Sequence, residues 1–157
     1  MKRAIISCSG GLDSTALLIR LLSEGYLVDV VNFDYGQKHK IERSKLKDNL
    51  SYLNEFDFRT IFHDFDLEDI FRHFTSTLLK GGGVIPEGSY KDANMKLTVV
   101  PNRNAKFASI IYGLALSKSY KTGDDVKIAL GVHSGDHVIY PDCRPKFLYG
   151  LYESFVL

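Results

Sequence analysis

The sequence predicts an α/β fold, an open and mainly parallel sheet flanked by helices. Three observations carry that expectation. Apolar runs of strand length alternate with helical patterns from the first residues onward. The second run, with Leu27-Val28 and Val30-Val31, reads as a strand buried on both faces, which only a covered parallel sheet requires. The connections are short, which favours right-handed crossovers between neighbouring parallel strands.

Arg3 to Cys8 reads as the first strand. A helix begins near Asp13, carries Leu17, Leu18, Leu21 and Leu22 on one face, and stops at Gly25. Tyr26 to Phe33 is the second strand, and Asp34-Tyr35-Gly36 turns the chain. Gln37 to Leu53 reads as a polar-surfaced helix with Ile41, Leu46, Leu50 and Leu53 inward, and Phe58 to Phe62 as a third strand. Asp66 to Leu79 is expected to be helical, with Leu67, Ile70, Phe71 and Phe74 on one side. Lys80 to Met95, with Gly81-Gly82-Gly83, Pro86 and Gly88, is an irregular loop that reads equally as a lid or as inert surface. Leu97 to Val100 leads into Pro101-Asn102-Arg103-Asn104 and a helix to about Ser119. Val126 to Val132 is the fourth strand, followed by a polar loop, His133 to Arg144, and a last helix. There is no internal repeat, and 1–157 reads as a single domain.

Composition excludes several classes. Of the 157 residues, 45% are hydrophobic and 25% charged, as in an ordinary soluble domain. The formal charge of +1 supplies no basic field for nucleic acid, so no direct nucleic-acid partner is expected. No apolar run approaches the ~20 residues of a membrane span, and no signal-peptide core opens the chain, so a cytoplasmic location is the default. The two cysteines, Cys8 and Cys143, are too few for a disulfide framework and read as free buried thiols.

The chemistry concentrates in Ser9-Gly10-Gly11-Leu12-Asp13-Ser14-Thr15. Strand, glycine turn and helix start form the setting in which backbone N–H groups and a helix dipole hold an anion. Neither the Walker A spacing nor GxGxxG is present. SGGxDS is instead the pyrophosphate-loop pattern of enzymes that cleave ATP between the α and β phosphates. A glycine turn with an ordinary helix cap is the simpler alternative. Three further polar groups fall where strands end: Asp34-Tyr35-Gly36-Gln37-Lys38-His39, then Pro101-Asn102-Arg103-Asn104, then His133-Ser134-Gly135-Asp136 running into Tyr140-Pro141-Asp142-Cys143-Arg144. Open parallel sheets bind their ligands at the carboxyl ends of the strands.

SGGLDST, DYGQKHKIE, VVPNRN and GVHSGDHVIYPDCRPKF, in this order from Met1 to about Phe147, resemble the 7-cyano-7-deazaguanine synthase (QueC) family. The resemblance implies an adenine-nucleotide α-hydrolase-like, Rossmann-like fold. It also implies an ATP-dependent ligase that turns 7-carboxy-7-deazaguanine and ammonia into the nitrile preQ0, by way of an acyl adenylate, for queuosine and archaeosine synthesis. Two other readings fit the same residues: a related enzyme with a different amine nucleophile, and a non-catalytic nucleotide-binding module acting through a partner.

By the same resemblance, the nucleotide site runs along Cys8, Ser9, Gly10, Gly11, Leu12, Asp13, Ser14, Thr15, Ala16, Leu17 and Leu18, with the Ser14 and Thr15 hydroxyls on the β and γ phosphates. Main-chain groups near Asn32 to Asp34 are expected to pair with the adenine edge. Asp13 either orients the hydration shell of Mg²⁺ or caps the helix. Arg103 neutralises charge on the α-phosphate or the substrate carboxylate, its alternative being a surface salt bridge. Tyr35, Gln37, Arg103, Asn104, Asp136, Tyr140, Asp142 and Arg144 are expected to shape the deazaguanine pocket, with Asp13, Arg103 and Asp136 catalytic. His39 reads as a surface histidine ahead of a proton shuttle, and Cys143 as a structural thiol ahead of an acyl acceptor.

Two departures from the family stand out. Its four-cysteine zinc cluster is not found in these residues, so no protein metal site is expected. The apolar helix ending Phe155-Val156-Leu157 leads to the expectation of a truncated chain, a homodimer or a missing C-terminal partner. The second departure is Asn102, at a position where glycine is usual. Asparagine tolerates the left-handed region, so the loop is expected to keep its shape.

Overall fold

The computed structural model describes residues 1–38, 41–85, 93–132 and 140–155. The chain divides into two compact units. One comprises Met1–Phe33, Lys40–Phe65 and Phe107–Val132, the other Asp34–His39, Asp66–Lys106 and His133–Leu157.

The first unit holds the predicted sheet. Strands β1 (Arg3–Ser7), β2 (Leu27–Asp34), β3 (Thr60–Asp66) and β4 (Val126–Leu130) lie in the order β3-β2-β1-β4. Central β1 pairs in parallel with both neighbours, Ile6 opposite Val30 on one side and Ala129 on the other. Because side chains alternate along a strand, Ala4, Ile6, Val28 and Val30 share one face. They pack there on Leu18, Leu21 and Leu22 of α1 (Leu12–Ser23) and Leu46 and Leu50 of α2 (Ile41–Glu55). On the opposite face Phe33 stacks on Phe107 of α4 (Arg103–Thr122), ring centroids 4.2 Å apart. The expected α/β class and parallel sheet are borne out, and β2 is buried on both faces as read.

One feature of this unit was not legible in the sequence. Asp29, buried in β2, accepts from Lys118 Nζ at 2.6 and 2.5 Å and lies 2.8 Å from His63 Nε2. A lone carboxylate here would be strongly disfavoured. The paired cation is what lets an acidic residue sit in a central strand.

Several boundaries differ from expectation, each for a visible reason. Gln37 and Lys38 lie outside α2 (Ile41–Glu55), because Gln37 pairs with Leu79 in an antiparallel bridge. Ile41 is exposed, not inward. β3 begins at Thr60 and not Phe58, because the chain reverses through Asp57 at φ 60°. β4 ends at Leu130. The helix expected over Asp66 to Leu79 shrinks to one turn, α3 (Glu68–Phe71). Beyond it Thr77 N–H donates to the Leu97 carbonyl at 2.9 Å, and Ser76 Oγ to the Thr98 carbonyl at 3.1 Å. Serine and threonine bond backbone outside helices readily, and here they draw the chain into pairing with distant segments.

These contacts belong to the second unit. Lys38 N–H donates to Leu78 O and Lys80 N–H to Gly36 O, flanking the Gln37–Leu79 bridge. Phe71, fully buried, carries Tyr35 at 5.3 Å and Phe74 at 5.4 Å between ring centroids. A 3₁₀ turn, Ala93–Thr98, precedes α4, and α5 (Pro145–Phe155) has no buried residue. Both cysteines are buried and outside any disulfide, as expected. Among the described residues no helix is long and apolar enough to cross a membrane.

A charge clip ties the N-terminal edge of the first unit. The Met1 ammonium and Arg3 Nε each donate to Asp124 at 2.6 Å. These bonds hold the Asp124 carboxyl down at about 2, from an ordinary 3.8. With the folded value depressed, the stability it contributes is present above pH 3.8 and is lost as pH falls through about 2. Asp124→Asn is expected to lower the urea midpoint near neutrality, where the charged pairings are fully formed, and to flatten its decline between those two pH values.

Candidate functional site

The Ser9–Thr15 loop is built by the first unit. Cys8 N–H donates to Val31 O at 2.8 Å, so the ladder runs one residue past β1 before the chain turns at Gly10, φ 94°. α1 starts at once, with Gly11 at its cap position and no side chain capping it. Gly11 N–H donates to Ser9 Oγ at 3.2 Å, and Ser14 Oγ to the Gly11 carbonyl at 3.2 Å. Thr15 Oγ1 is buried without a hydrogen-bond partner among the described residues. A loop whose helix end is left uncapped and whose threonine hydroxyl is orphaned fits an anion that would supply the missing partners.

Neighbouring backbones press closely on this loop. A methyl group on Gly10 would stand 2.3 Å from the Glu42 carbonyl oxygen, and one on Gly131, just past β4, 2.9 Å from Ser14 Cα. Gly10→Ala is therefore expected to cost ~2 kcal/mol or more, combining left-handed strain of ~1–2 kcal/mol with overlap on a helix backbone. Gly25→Ala is the control, since it shares the positive φ of 82° but meets nothing within 4 Å. Urea midpoints should fall more for the first than for the second.

The remaining loop residues are placed as follows. Leu12 is 86% exposed, and Asp13 and Ala16 are exposed. Leu17 is half-buried, and Leu18 lies in the core. Asp13 makes no hydrogen bond with a described residue, so α1 is not capped by it. Burial pushes the Cys8 thiol above its ordinary value; hydrogen bonds with Ser14 and the Gly10 N–H oppose the rise, and Glu42 adds to it. Glu42 Oε1 sits 3.4 Å from where a Gly11 side chain would begin. Sequence reasoning assigned that carboxylate no role at the loop, although DYGQKHKIE contains it.

The second unit gathers another set of predicted residues. Arg103, the first residue of α4, is half-buried and donates from Nη1 to Tyr35 Oη at 3.3 Å, its Cζ 5.9 Å from the Tyr35 ring centroid. It forms no ion pair with a described residue. Burial pulls its pKa down, but Tyr35 above all, then Asp142 and Cys143, hold it above the ordinary arginine value. The guanidinium is always charged.

Asp142, buried, accepts from the Asn104 N–H through Oδ2 at 2.9 Å and so caps α4 from 38 residues away. Asn104 Nδ2 returns a bond to the Asp142 carbonyl at 3.3 Å and contacts Cys143 Sγ at 3.5 Å. Tyr140 Oη pairs with Thr98 Oγ1 at 2.9 Å, a partner that sequence reasoning did not single out. Gln37 Oε1 accepts from Tyr35 N–H at 2.8 Å, and Arg144 is exposed. Asn102 adopts φ 54°, the left-handed conformation expected of it. Asp136 and His39 lie outside the described residues. Among the described residues no group of three or more His, Cys, Asp or Glu is placed to hold a metal ion.

A parallel sheet whose first strand feeds a glycine turn into a bare helix N-terminus defines an α/β protein of the Rossmann-like class. The family model for queuosine biosynthesis protein QueC matches residues 3–155, and the chain belongs to that family. It is 40% identical over 147 residues to the 7-cyano-7-deazaguanine synthase of Brucella anthropi, covering 93% of this chain and 59% of that protein. With the protein of the same name from Paracoccus denitrificans it shares 37% over 145 residues, 92% of this chain and 58% of the relative. The chain thus spans a little under three fifths of the length of these curated relatives. A solved structure described as a predicted subunit of tRNA methyltransferase from Methanocaldococcus jannaschii aligns over 99% of this chain and 64% of its own, with a TM-score of 0.56 and 16% identity. That likeness supports the fold alone.

Proposed function

We propose that residues 1–157 form the nucleotide-binding and ligase portion of a 7-cyano-7-deazaguanine synthase. The substrates would be ATP, 7-carboxy-7-deazaguanine and ammonia. The observation that carries this reading is the uncapped Ser9–Thr15 loop, with its orphaned Thr15 hydroxyl, inside a chain matched by the family model from residue 3 to 155.

The chemistry follows from the substrate. A carboxylate is a poor electrophile, so its oxygen attacks the α-phosphorus of ATP and pyrophosphate leaves. Ammonia then adds to the acyl carbon, AMP departs and a proton is lost, leaving the primary amide. The amide oxygen attacks a second α-phosphorus and pyrophosphate leaves; loss of AMP and two protons then yields the nitrile. Ser9, Gly11 and Thr15 would hold the departing phosphates by N–H and O–H donation. Arg103, charged and in no ion pair with a described residue, would meet charge developing on the α-phosphate or the substrate carboxylate. Tyr35, through its Oη, orients that guanidinium. Asp142, with one oxygen spent on α4, retains the other for an N–H of the deazaguanine edge, and Gln37, Asn104, Asp136, Tyr140 and Arg144 complete the proposed pocket.

Asp13, exposed and unpartnered among the described residues, is an oxygen donor suited to a hard cation or its water; Mg²⁺ would supply neutralisation of the phosphate charge. The two cysteines present do not make a four-thiolate zinc site, and no step here uses one. The test is mass spectrometry of products from the purified chain with MgATP, 7-carboxy-7-deazaguanine and ammonia. A preQ0 peak accompanied by AMP is the expected result. ATP bound by a folded chain with no amide or nitrile formed would overturn the ligase reading and leave a nucleotide-binding module.

A further inference from the structure

We propose that Asn32 is the positioning residue of the phosphate loop, fixing the direction of the Ser9 N–H through the Cys8 carbonyl. The inference rests on the nucleotide reading above and deepens it. β2 is otherwise built for burial, with Val28, Val30, Val31 and Phe33 in its interior. Asparagine is depleted in such strands. Asn32 is nevertheless 2% exposed, and its Oδ1 has no hydrogen-bond partner among the described residues. A residue that breaks a local rule and leaves a buried acceptor unpaired points to function ahead of stability.

Its other end shows what that function is. Nδ2 donates to the Cys8 carbonyl at 3.0 Å, where the β1–β2 ladder gives way to the loop. The Cys8 carbonyl and the Ser9 N–H belong to one planar trans peptide and point in opposite directions. Drawing the carbonyl toward β2 therefore turns the Ser9 N–H away from the strand. That N–H makes no hydrogen bond with any described residue, so it is left for an anion.

The test compares wild type with Asn32→Leu, which keeps the branched outline and removes both polar atoms, and with Asn32→Asp, which turns an acceptor toward the Cys8 carbonyl. MgATP affinity is read by calorimetry, folding by thermal midpoint, and loop order by amide exchange of Ser9 to Gly11 without nucleotide. The expected result is at least a tenfold loss of MgATP affinity in both variants. Ser9 exchange should be faster, and the Leu variant should keep the wild-type midpoint within a few degrees. Wild-type affinity and wild-type Ser9 exchange in a folded Asn32→Leu would overturn the proposal. If wild type itself fails to bind MgATP, the nucleotide reading falls, while the exchange comparison still decides whether Asn32 orders the loop.

Discussion

Asp13→Ala is expected to abolish ATP-dependent product formation while the protein stays folded. The side chain is exposed in the first turn of α1 and makes no hydrogen bond with a described residue, so its removal opens no cavity. The stability cost is that of one acidic residue near a helix N-terminus, ~0.3–1 kcal/mol. The functional cost is larger. A carboxylate beside the triphosphate opposes binding by about 3 kcal/mol per charge pair, at roughly 6 Å and an effective dielectric near 20. An acid at this place helps only through a cation or the water a cation holds. Initial rates of preQ0 formation, measured across a Mg²⁺ titration and set beside the thermal midpoint, check this. Turnover at the wild-type level would remove Asp13 from the phosphate site.

Arg103→Ala is expected to lower kcat by about 10²–10³, the usual effect of losing one preorganised donor at developing charge. The KM for ATP should move by no more than a few-fold if the guanidinium acts in the transition state. Arg103→Lys should recover only part of the rate, because a lysine keeps the charge but not the planar fork that meets two oxygens at once. Tyr35→Phe should cost less, since it removes one orienting bond at 3.3 Å and leaves the ring in place. Steady-state kinetics of the three variants separate these roles. An equal rise in KM with kcat preserved would make Arg103 a binding group only.

The glycine turn, the strand before it and the helix after it were legible because each depends on neighbours a few residues away. Gly10 and Gly11 announce a turn, and Leu18, Leu21 and Leu22 announce a helix face. The Tyr35–Arg103 pairing was not legible. Both residues stood on the sequence as candidates, but 68 residues separate them and no local pattern joins them. Asp142 was read as a pocket residue, and its capping of α4 appears only when the 3₁₀ turn Pro141–Cys143 meets Asn104. Asn32 drew attention only for its main chain, because an asparagine in an apolar strand carries no sign of which backbone group it will hold.

By itself the sequence determined the α/β class, the parallel character of the sheet, the phosphate-loop pattern and the family. These follow from periodicity, turn chemistry and motif, all of them short-range information. Tertiary structure decided where helices yield to longer-range pairing. The pattern from Asp66 to Leu79 is helical on its own, yet Ser76 and Thr77 bond to Thr98 and Leu97 and leave only Glu68–Phe71 as helix. It also decided which buried charges survive. Asp29 stays in β2 because Lys118, 89 residues further along, reaches it across the sheet face. Hydrogen-bond and charge compensation is set by atoms brought together in space, and residue order along the chain does not specify those partners.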